Sequence, residues 1–318
     1  MQFNKKIDTP VLIVAYSRPE GISYLLRILE TVGVTRVYIA IDGPKNLKDK
    51  DIQESIKIEI DKYINKSSIK IRVMTQSENL GVANGVISAI DWFFSCEELG
   101  IILEDDLRIS EDFYQYAAQA LEKYRIDPNV WMISGTQLFP AELNAQKCAW
   151  TNYPMIWGWA GWSKKWDEMR QSLLKTKHIG LKHLIDRRYI YWAIGANRAL
   201  DGKVDTWDTP LAFEFFIRKK LCLLPPVNLV SNIGNDEVSS HTKNFNETLH
   251  LNTHSIDAKY SLPNMPDEKD LSDYNKVLED NIFRIRNKHI FLSYYSYLLD
   301  FIKFPKSKRK SPLNARIG

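Results

Sequence analysis

Residues 100–134 read GIILEDDLRISEDFYQYAAQALEKYRIDPNVWMIS. The run opens on an apolar strand that ends in three consecutive acids, Glu104, Asp105 and Asp106. From Glu111 to Tyr124 the apolar residues recur at helical spacing, and Ser110 is suited to cap that helix. Asp127-Pro128 then punctuates the chain, and Val130 to Ser134 reads as the next strand. A strand that delivers its carboxyl end into a cluster of charge, followed by a covering helix and another strand, is the grammar of an α/β sheet.

Working back toward the amino terminus, the same grammar repeats. PVLIVAY (10–16), RVYIAID (36–42) and IKIRVMT (69–75) read as strands, with helices over about 18–31, 48–65 and 81–96 between them. Fully apolar strands alternating with helices predict a mostly parallel, Rossmann-like sheet flanked by helices on both faces. In such sheets ligands bind beyond the carboxyl ends of the strands. Tyr16-Ser17-Arg18, Asp42-Gly43 and Glu104-Asp105-Asp106 all fall at those ends.

Composition bounds the alternatives. With 318 residues, 44% hydrophobic and 26% charged, the chain has the make-up of a globular protein with a large core. A net charge of +4 gives no reason to expect nucleic acid as a partner. The three cysteines, Cys96, Cys148 and Cys222, form no CxxC pair, which argues against a disulfide framework and fits a reducing, cytoplasmic setting. The apolar run 10–16 is too short for a signal peptide, and no stretch is long enough to span a bilayer. Near the carboxyl terminus, FLSYYSYLLDFIKF (291–304) is amphipathic and PKSKRKS (305–311) is basic. A packed terminal helix with a solvated tail, and peripheral contact with the anionic inner face of a membrane, both remain open for this segment.

Three adjacent carboxylates repel one another unless a cation relieves them, and hard divalent ions such as Mg2+ or Mn2+ prefer oxygen ligands and also bind substrate phosphates. The competing reading is an exposed acidic turn ahead of a capped helix, which does not account for three acids. The ordered set YSRPE, IDG, ENLGVANGV and LEDD, and above all residues 103–135, resembles the GT-A glycosyltransferases. The similarity is to the group of the eukaryotic N-acetylglucosaminyltransferase I enzymes and to bacterial family-two-like sugar transferases, and it covers roughly residues 9–242.

That resemblance implies an inverting transfer from a nucleoside-diphosphate sugar, UDP-linked and with UDP-GlcNAc among the candidates, to a sugar acceptor in surface polysaccharide or lipid-linked oligosaccharide synthesis. It implies Asp106 as a ligand of Mn2+ or Mg2+ in a DXD-like motif, with Glu104 and Asp105 against the donor or linked to the metal through water. Tyr16, Ser17, Arg18 and Asp42 correspond to nucleoside and phosphate contacts. Asn79, Gly81 and Asn84 correspond to the segment that closes over the nucleotide, while a turn at Asp42-Gly43 and a helix start at 79–81 are the plain alternatives.

Trp207-Asp208 matches the pair that supplies the catalytic base, although Thr209-Pro210 stands where the family has a second acid; Asp205 and Glu214 are alternative bases, and a helix cap is the structural alternative for Asp208. Trp157, Gly158, Trp159 and Trp207 match a donor–acceptor junction. His241 is a candidate second metal ligand, in a polar loop that also holds Asn232, Gly234 and Asn235.

The expected organisation is a catalytic domain over 1–245, with a nucleotide-sugar half to about 135 and an acceptor half over 136–245, then an extension over 246–318. A sugar-phosphate nucleotidyltransferase is the alternative of related fold; it would need a Gly-rich basic loop after the first strand, where this chain has YSRPEG. A non-catalytic carbohydrate-binding protein is the alternative of another class. No GxGxxG follows a strand, which sets aside a dinucleotide-dependent dehydrogenase.

Overall fold

The computed structural model describes residues 8–138, 147–175, 186–234, 252–256, 260–285 and residue 295. Its first half runs β1 (Val11–Ala15), α1 (Pro19–Thr31), β2 (Arg36–Ile41), α2 (Leu47–Ile64), β3 (Lys70–Thr75), α3 (Gly81–Cys96), β4 (Leu99–Glu104), β5 (Leu107–Ile109), α4 (Asp112–Lys123) and β6 (Val130–Ser134). The second half adds β7 (Ala149–Thr151), β8 (Trp159–Trp162), α5 (Ser163–Lys175), α6 (Arg187–Leu200), α7 (Asp208–Ile217), β9 (Leu221–Leu224), β10 (Val230–Asn232) and α8 (Glu268–Asn281).

Eight strands form one sheet in the order β3-β2-β1-β4-β8-β6-β9-β7, and β10 pairs with β5 in a small separate ribbon. The four strands β3, β2, β1 and β4 are mutually parallel. β8 lies antiparallel between β4 and β6, β9 continues parallel to β6, and β7 closes the edge antiparallel to β9. The chain therefore moves outward from β1 to β3 and returns on the other side of β1 to β4. That reversal opens a crevice between the carboxyl ends of β1 and β4, the place where open α/β sheets bind ligands.

Each face of the sheet buries its own apolar layer. Helices α1, α2 and α4 cover one face through residues such as Leu25, Ile56 and Tyr116, all fully buried. Helices α3, α5, α6 and α7 cover the other, where Trp159, Trp166 and Trp207 lie with ring centroids 6.2–6.4 Å apart. Double-sided cover explains why β1, β2 and β4 read as unbroken apolar runs. β3 differs from that expectation: as an edge strand it exposes Lys70, Arg72 and Val73, a charged edge of the kind that discourages strand addition.

Beyond residue 246, part of the extension is built into the body. Tyr274 and Leu278 of α8 are buried in the core beside β7, and Trp150 Nε1 donates to the Asn264 carbonyl at 3.0 Å. The amphipathic and basic segment 291–311 lies outside the described residues apart from Tyr295. Among the described residues, no helix is long and apolar enough to cross a membrane.

One half-buried cation gives the fold a pH signature. Lys165 sits over the Trp162 ring, 3.5 Å from its centroid, and its Nζ donates to the carbonyls of Val130 at 2.7 Å and Tyr124 at 3.1 Å. Burial holds its pKa down at about 8. Because the unfolded chain binds this proton more tightly, stability should rise as pH increases from about 8 toward 10. The melting temperature of the native chain should climb across that window relative to Lys165→Met, whose profile lacks this contribution; parallel profiles would refute the assignment.

Candidate active site

The acids after β4 part ways in the structure, and each has a distinct environment. Glu104 is the last residue of β4 and lies in register with Val14 of β1. Burial first, then the neighbouring charges of Asp106, Asp105 and Asp208, push its pKa well above the usual carboxylate range. Asp208, more than a hundred residues further along the chain, is thus within electrostatic reach of Glu104.

Asp105, expected against the donor, instead turns toward the β1–α1 loop. Its Oδ2 accepts the backbone N–H groups of Tyr16 at 2.8 Å, Ser17 at 3.1 Å and Arg18 at 3.2 Å. A buried carboxylate needs such donors, and a loop leaving a strand has N–H groups to give. Asp105 thus clasps the crevice from β4 to β1. Burial is the main reason its pKa rises to about 6, with the charge of Asp106 adding to it and the loop N–H groups opposing it.

Asp106 is half-buried, between the β1–α1 loop and the ribbon. The Arg18 guanidinium approaches its Oδ2 at 3.6 Å. The ribbon strand β10 brings residues 232–234 alongside: Ile233 N–H donates to the Asp106 carbonyl at 3.0 Å, and a Cβ on Gly234 would lie 2.3 Å from Asp106 Oδ2. Asn232 and Gly234 therefore adjoin Asp106. Asn235 and His241 lie outside the described residues.

At the end of β2, Asp42 holds the neighbouring loop together. Its carboxylate accepts from Gly43 N–H and Leu80 N–H at 2.8 and 2.9 Å and from Asn79 Nδ2 at 2.9 Å. Burial raises its pKa despite those donors. Asn79 also donates to the Gly43 carbonyl and accepts from Gly81 N–H, so its amide is occupied in joining two loops. The segment 79–84 is tied to the end of β2, where Asp42 and Asn79 are engaged with each other. Asn84, one turn into α3, bonds only weakly back to the Leu80 carbonyl at 3.4 Å.

The close approach that Gly81 permits is likewise internal. It adopts φ +79°, and a Cβ there would lie 2.6 Å from Asp205 Oδ2. Tyr16 remains at the mouth of the site, with its hydroxyl on Asp49 at 2.7 Å and the Lys45 ammonium 5.3 Å from its ring centroid.

Asp208 is the first residue of α7, with Trp207 at the N-cap and no side-chain cap bond. The cap alternative is thus not what its carboxylate does; it accepts from the Thr206 hydroxyl instead. Its rivals are otherwise engaged. Asp205 accepts two backbone N–H groups of α3, and buried Glu214 is bound by Arg218 at 2.7 Å and Ser172 at 2.8 Å. The junction tryptophans divide as well: Trp159 and Trp207 are buried in the aromatic cluster, while Trp157 is only partly covered. Gly158 has φ +60° and abuts Val230, so it turns the chain against β10 rather than against a ligand.

Lys45, Asp49 and Gln53, which line or brace this region, are missing from the sequence-based site. Gln53 is buried and donates to the Asp42 carbonyl at 2.8 Å. The available signal was Asn46 followed three residues later by Asp49, a helix-start pattern that fixes α2 beside Tyr16.

A divalent ion fits this donor set in one manner. Among the described residues, no group of three or more His, Cys, Asp or Glu is arranged to hold a metal. Asp106, with Glu104 behind it, offers hard oxygen ligands of the sort that bind Mg2+ or Mn2+ through one or two carboxylates, the remaining positions falling to substrate phosphates and water.

No family model matches the chain, and no curated protein matches it. Some solved structures overlay in part. UDP-glucose pyrophosphorylase in complex with UDP-glucose is 9% identical over 68% of this chain and 89% of its own, with a TM-score of 0.35. A Bacillus anthracis protein described as a glucose-1-phosphate thymidylyltransferase is 9% identical over 73% and 91%, with a TM-score of 0.39. HddC from Yersinia pseudotuberculosis is 14% identical at a TM-score of 0.26, and the overlay covers 40% of this chain and only 57% of HddC. At these scores the overlays do not decide the reaction. The fold class, a mostly parallel Rossmann-like sheet flanked by helices, stands on the strand order itself.

Proposed function

We propose that this chain is an inverting GT-A glycosyltransferase that moves a sugar from a nucleoside-diphosphate donor to a sugar acceptor. The observation that carries the reading is the acidic end of β4 at the crevice between β1 and β4, where Arg18 lies 3.6 Å from Asp106 and Glu104 feels the charges of Asp106, Asp105 and Asp208. The choice of UDP, and of an acceptor in surface polysaccharide or lipid-linked oligosaccharide synthesis, rests on the sequence resemblance.

In this reading Asp208 is the general base. It takes the acceptor hydroxyl's proton as that oxygen attacks the anomeric carbon from the face opposite the leaving group, so the configuration inverts. Thr206 holds the Asp208 carboxylate in one orientation. Arg18 offsets negative charge on the departing diphosphate, and Glu104 lines the floor between the two. Asp106, with Glu104 behind it, would hold Mn2+ or Mg2+, which when bound neutralises charge on the diphosphate. Asp105 contributes by fixing the loop that carries Arg18.

Sugar-phosphate nucleotidyl transfer is the competing reading, and it is the activity named for two of the overlaid proteins. One feature of this chain weighs against it. The Tyr16, Ser17 and Arg18 N–H groups, where a triphosphate would need a cradle, are all bonded to Asp105. A purely carbohydrate-binding role gives no reason to gather Glu104, Asp106 and Asp208, whose mutual repulsion is costly without a cation.

The direct test of the donor site is titration with UDP, GDP and CMP, with and without Mn2+, on the native chain and on Asp106→Ala. UDP binding that requires Mn2+ and weakens at least about tenfold in the variant, the scale set by loss of a charge-assisted contact, is the expected outcome. Metal-independent binding, or binding to none of the nucleotides, would reject the site.

A further inference from the structure

At the start of helix α3 the local side chains serve only Gly81 N–H, which Asn79 accepts at 3.2 Å, because Leu80 at the N-cap has no side chain able to accept a hydrogen bond. The missing acceptor comes from 123 residues further along the chain. Asp205 Oδ2 accepts Val82 N–H at 2.8 Å, and its Oδ1 accepts Ala83 N–H at 2.9 Å. The backbone is shaped to admit this carboxylate, because Gly81 is left-handed at φ +79° and any side chain there would collide with Asp205 Oδ2. On its other side the same segment is tied to the end of β2, through Asn79 and Leu80 on Asp42.

The residues just after Asp205 give this contact its meaning. Trp207, two positions on, is buried against Trp159 and Trp166. Asp208 comes next and opens α7. Residues 205–208 are therefore pinned at one end to the segment 79–84 and at the middle to the aromatic core. The freedom left to the Asp208 backbone is small. An ordinary helix cap needs only a serine or aspartate at position 80; a cap supplied by the base-bearing segment does a second job.

We infer that Asp205 is a positioning residue: its two bonds to the amino terminus of α3 couple the segment 79–84 to the segment 205–208 and so fix where Asp208 enters α7. This rests on the glycosyl-transfer reading for its kinetic consequence, but not for the coupling itself. The geometry also supplies two independent ways to break the contact. Asp205→Ala removes the acceptor, whereas Gly81→Ala pushes it out by steric contact without deleting any titratable group.

Two measurements on the full chain test it. The first is amide hydrogen exchange. In both variants protection should fall at Val82 and Ala83 and also at Leu211, whose N–H closes the first turn of α7 on the Trp207 carbonyl at 3.4 Å. Loss confined to residues 82–83, with Leu211 unchanged, would show a local cap and overturn the inference. The second is turnover of UDP-sugars with Mn2+. Misplacing a base by about 1 Å can cost roughly 100-fold, so kcat should drop on the order of 10–100-fold while the KM for donor moves far less.

The double variant should be no worse than the more damaged single one, because both changes remove the same contact. Additive losses, or kcat at the native level, would contradict the coupling. Absence of any UDP-sugar turnover by the native chain would reject glycosyl transfer, and the exchange experiment would still decide whether Asp205 couples the two segments.

Discussion

Asp208→Asn should lower kcat by about 100- to 10,000-fold, the usual worth of a positioned general base, while leaving UDP and Mn2+ affinity nearly unchanged. The asymmetry reflects where the residue stands. Asp208 interacts with the acidic cluster through Glu104, but it arrives from α7, the side opposite the β1–α1 loop that carries Arg18. Asparagine keeps the shape and the contact with the Thr206 hydroxyl and removes only the ability to take a proton. Asp205→Asn and Glu214→Gln should not reproduce a loss of that size by the same route, since their carboxylates are engaged with α3 and with Arg218. Steady-state kinetics with donor binding measured on the same preparations would separate these cases. A variant of Asp208 with native kcat would dismiss it as the base.

Asp105→Ala should have the largest effect on stability among the site residues. It strips the acceptor from three backbone N–H groups in the β1–α1 loop. Leaving enclosed donors unsatisfied costs about 1–3 kcal/mol each at most, and water can reach part of this loop, so a total of about 3 kcal/mol is expected. For a chain of this size that lowers the melting temperature by roughly 5 °C. Asp105→Asn, which keeps one acceptor oxygen, should lose less. Nucleotide binding should weaken in Asp105→Ala as well, through displacement of Arg18 rather than loss of a direct contact. A variant that melts like the native chain would mean the loop is held by something other than this carboxylate.

The contrast between those two acids shows what was legible in the sequence. Apolar runs such as VLIVA and GIILE can only be strands buried on both faces, and their alternation with amphipathic helices was enough to predict the sheet and the end of it that bears the site. The second half was harder. The four-residue strand LCLL is too short to carry a period, and WAGW, rich in tryptophan and glycine, hides an antiparallel strand inserted between β4 and β6. No local pattern announces an insertion of that kind, because it is decided by which strand edges remain unpaired.

Within the site, the sequence located the carboxylates but not their duties. Glu104, Asp105 and Asp106 are adjacent and chemically alike. Rotation by one residue along the backbone sends the middle one into the β1–α1 loop and leaves its neighbours to the cleft. Asp205 and Asp208 illustrate the same limit: both precede a helix and both looked able to act as bases. Only the distant amino terminus of α3, brought near by the fold, claims Asp205. Trp207 and Trp159 matched a substrate junction by motif, yet the packing of three tryptophans between sheet and helices encloses them.

The central claim is tested most directly by incubating the chain with Mn2+ and UDP-sugars, UDP-GlcNAc first, then adding pyrophosphate, and reading phosphorus-31 resonances after the metal is removed with chelator. Glycosyl transfer, or its slow counterpart with water as acceptor, predicts growth of UDP signals that Asp208→Asn abolishes, with no response to pyrophosphate. Appearance of UTP and sugar 1-phosphate only when pyrophosphate is supplied would contradict the account and establish nucleotidyl transfer instead.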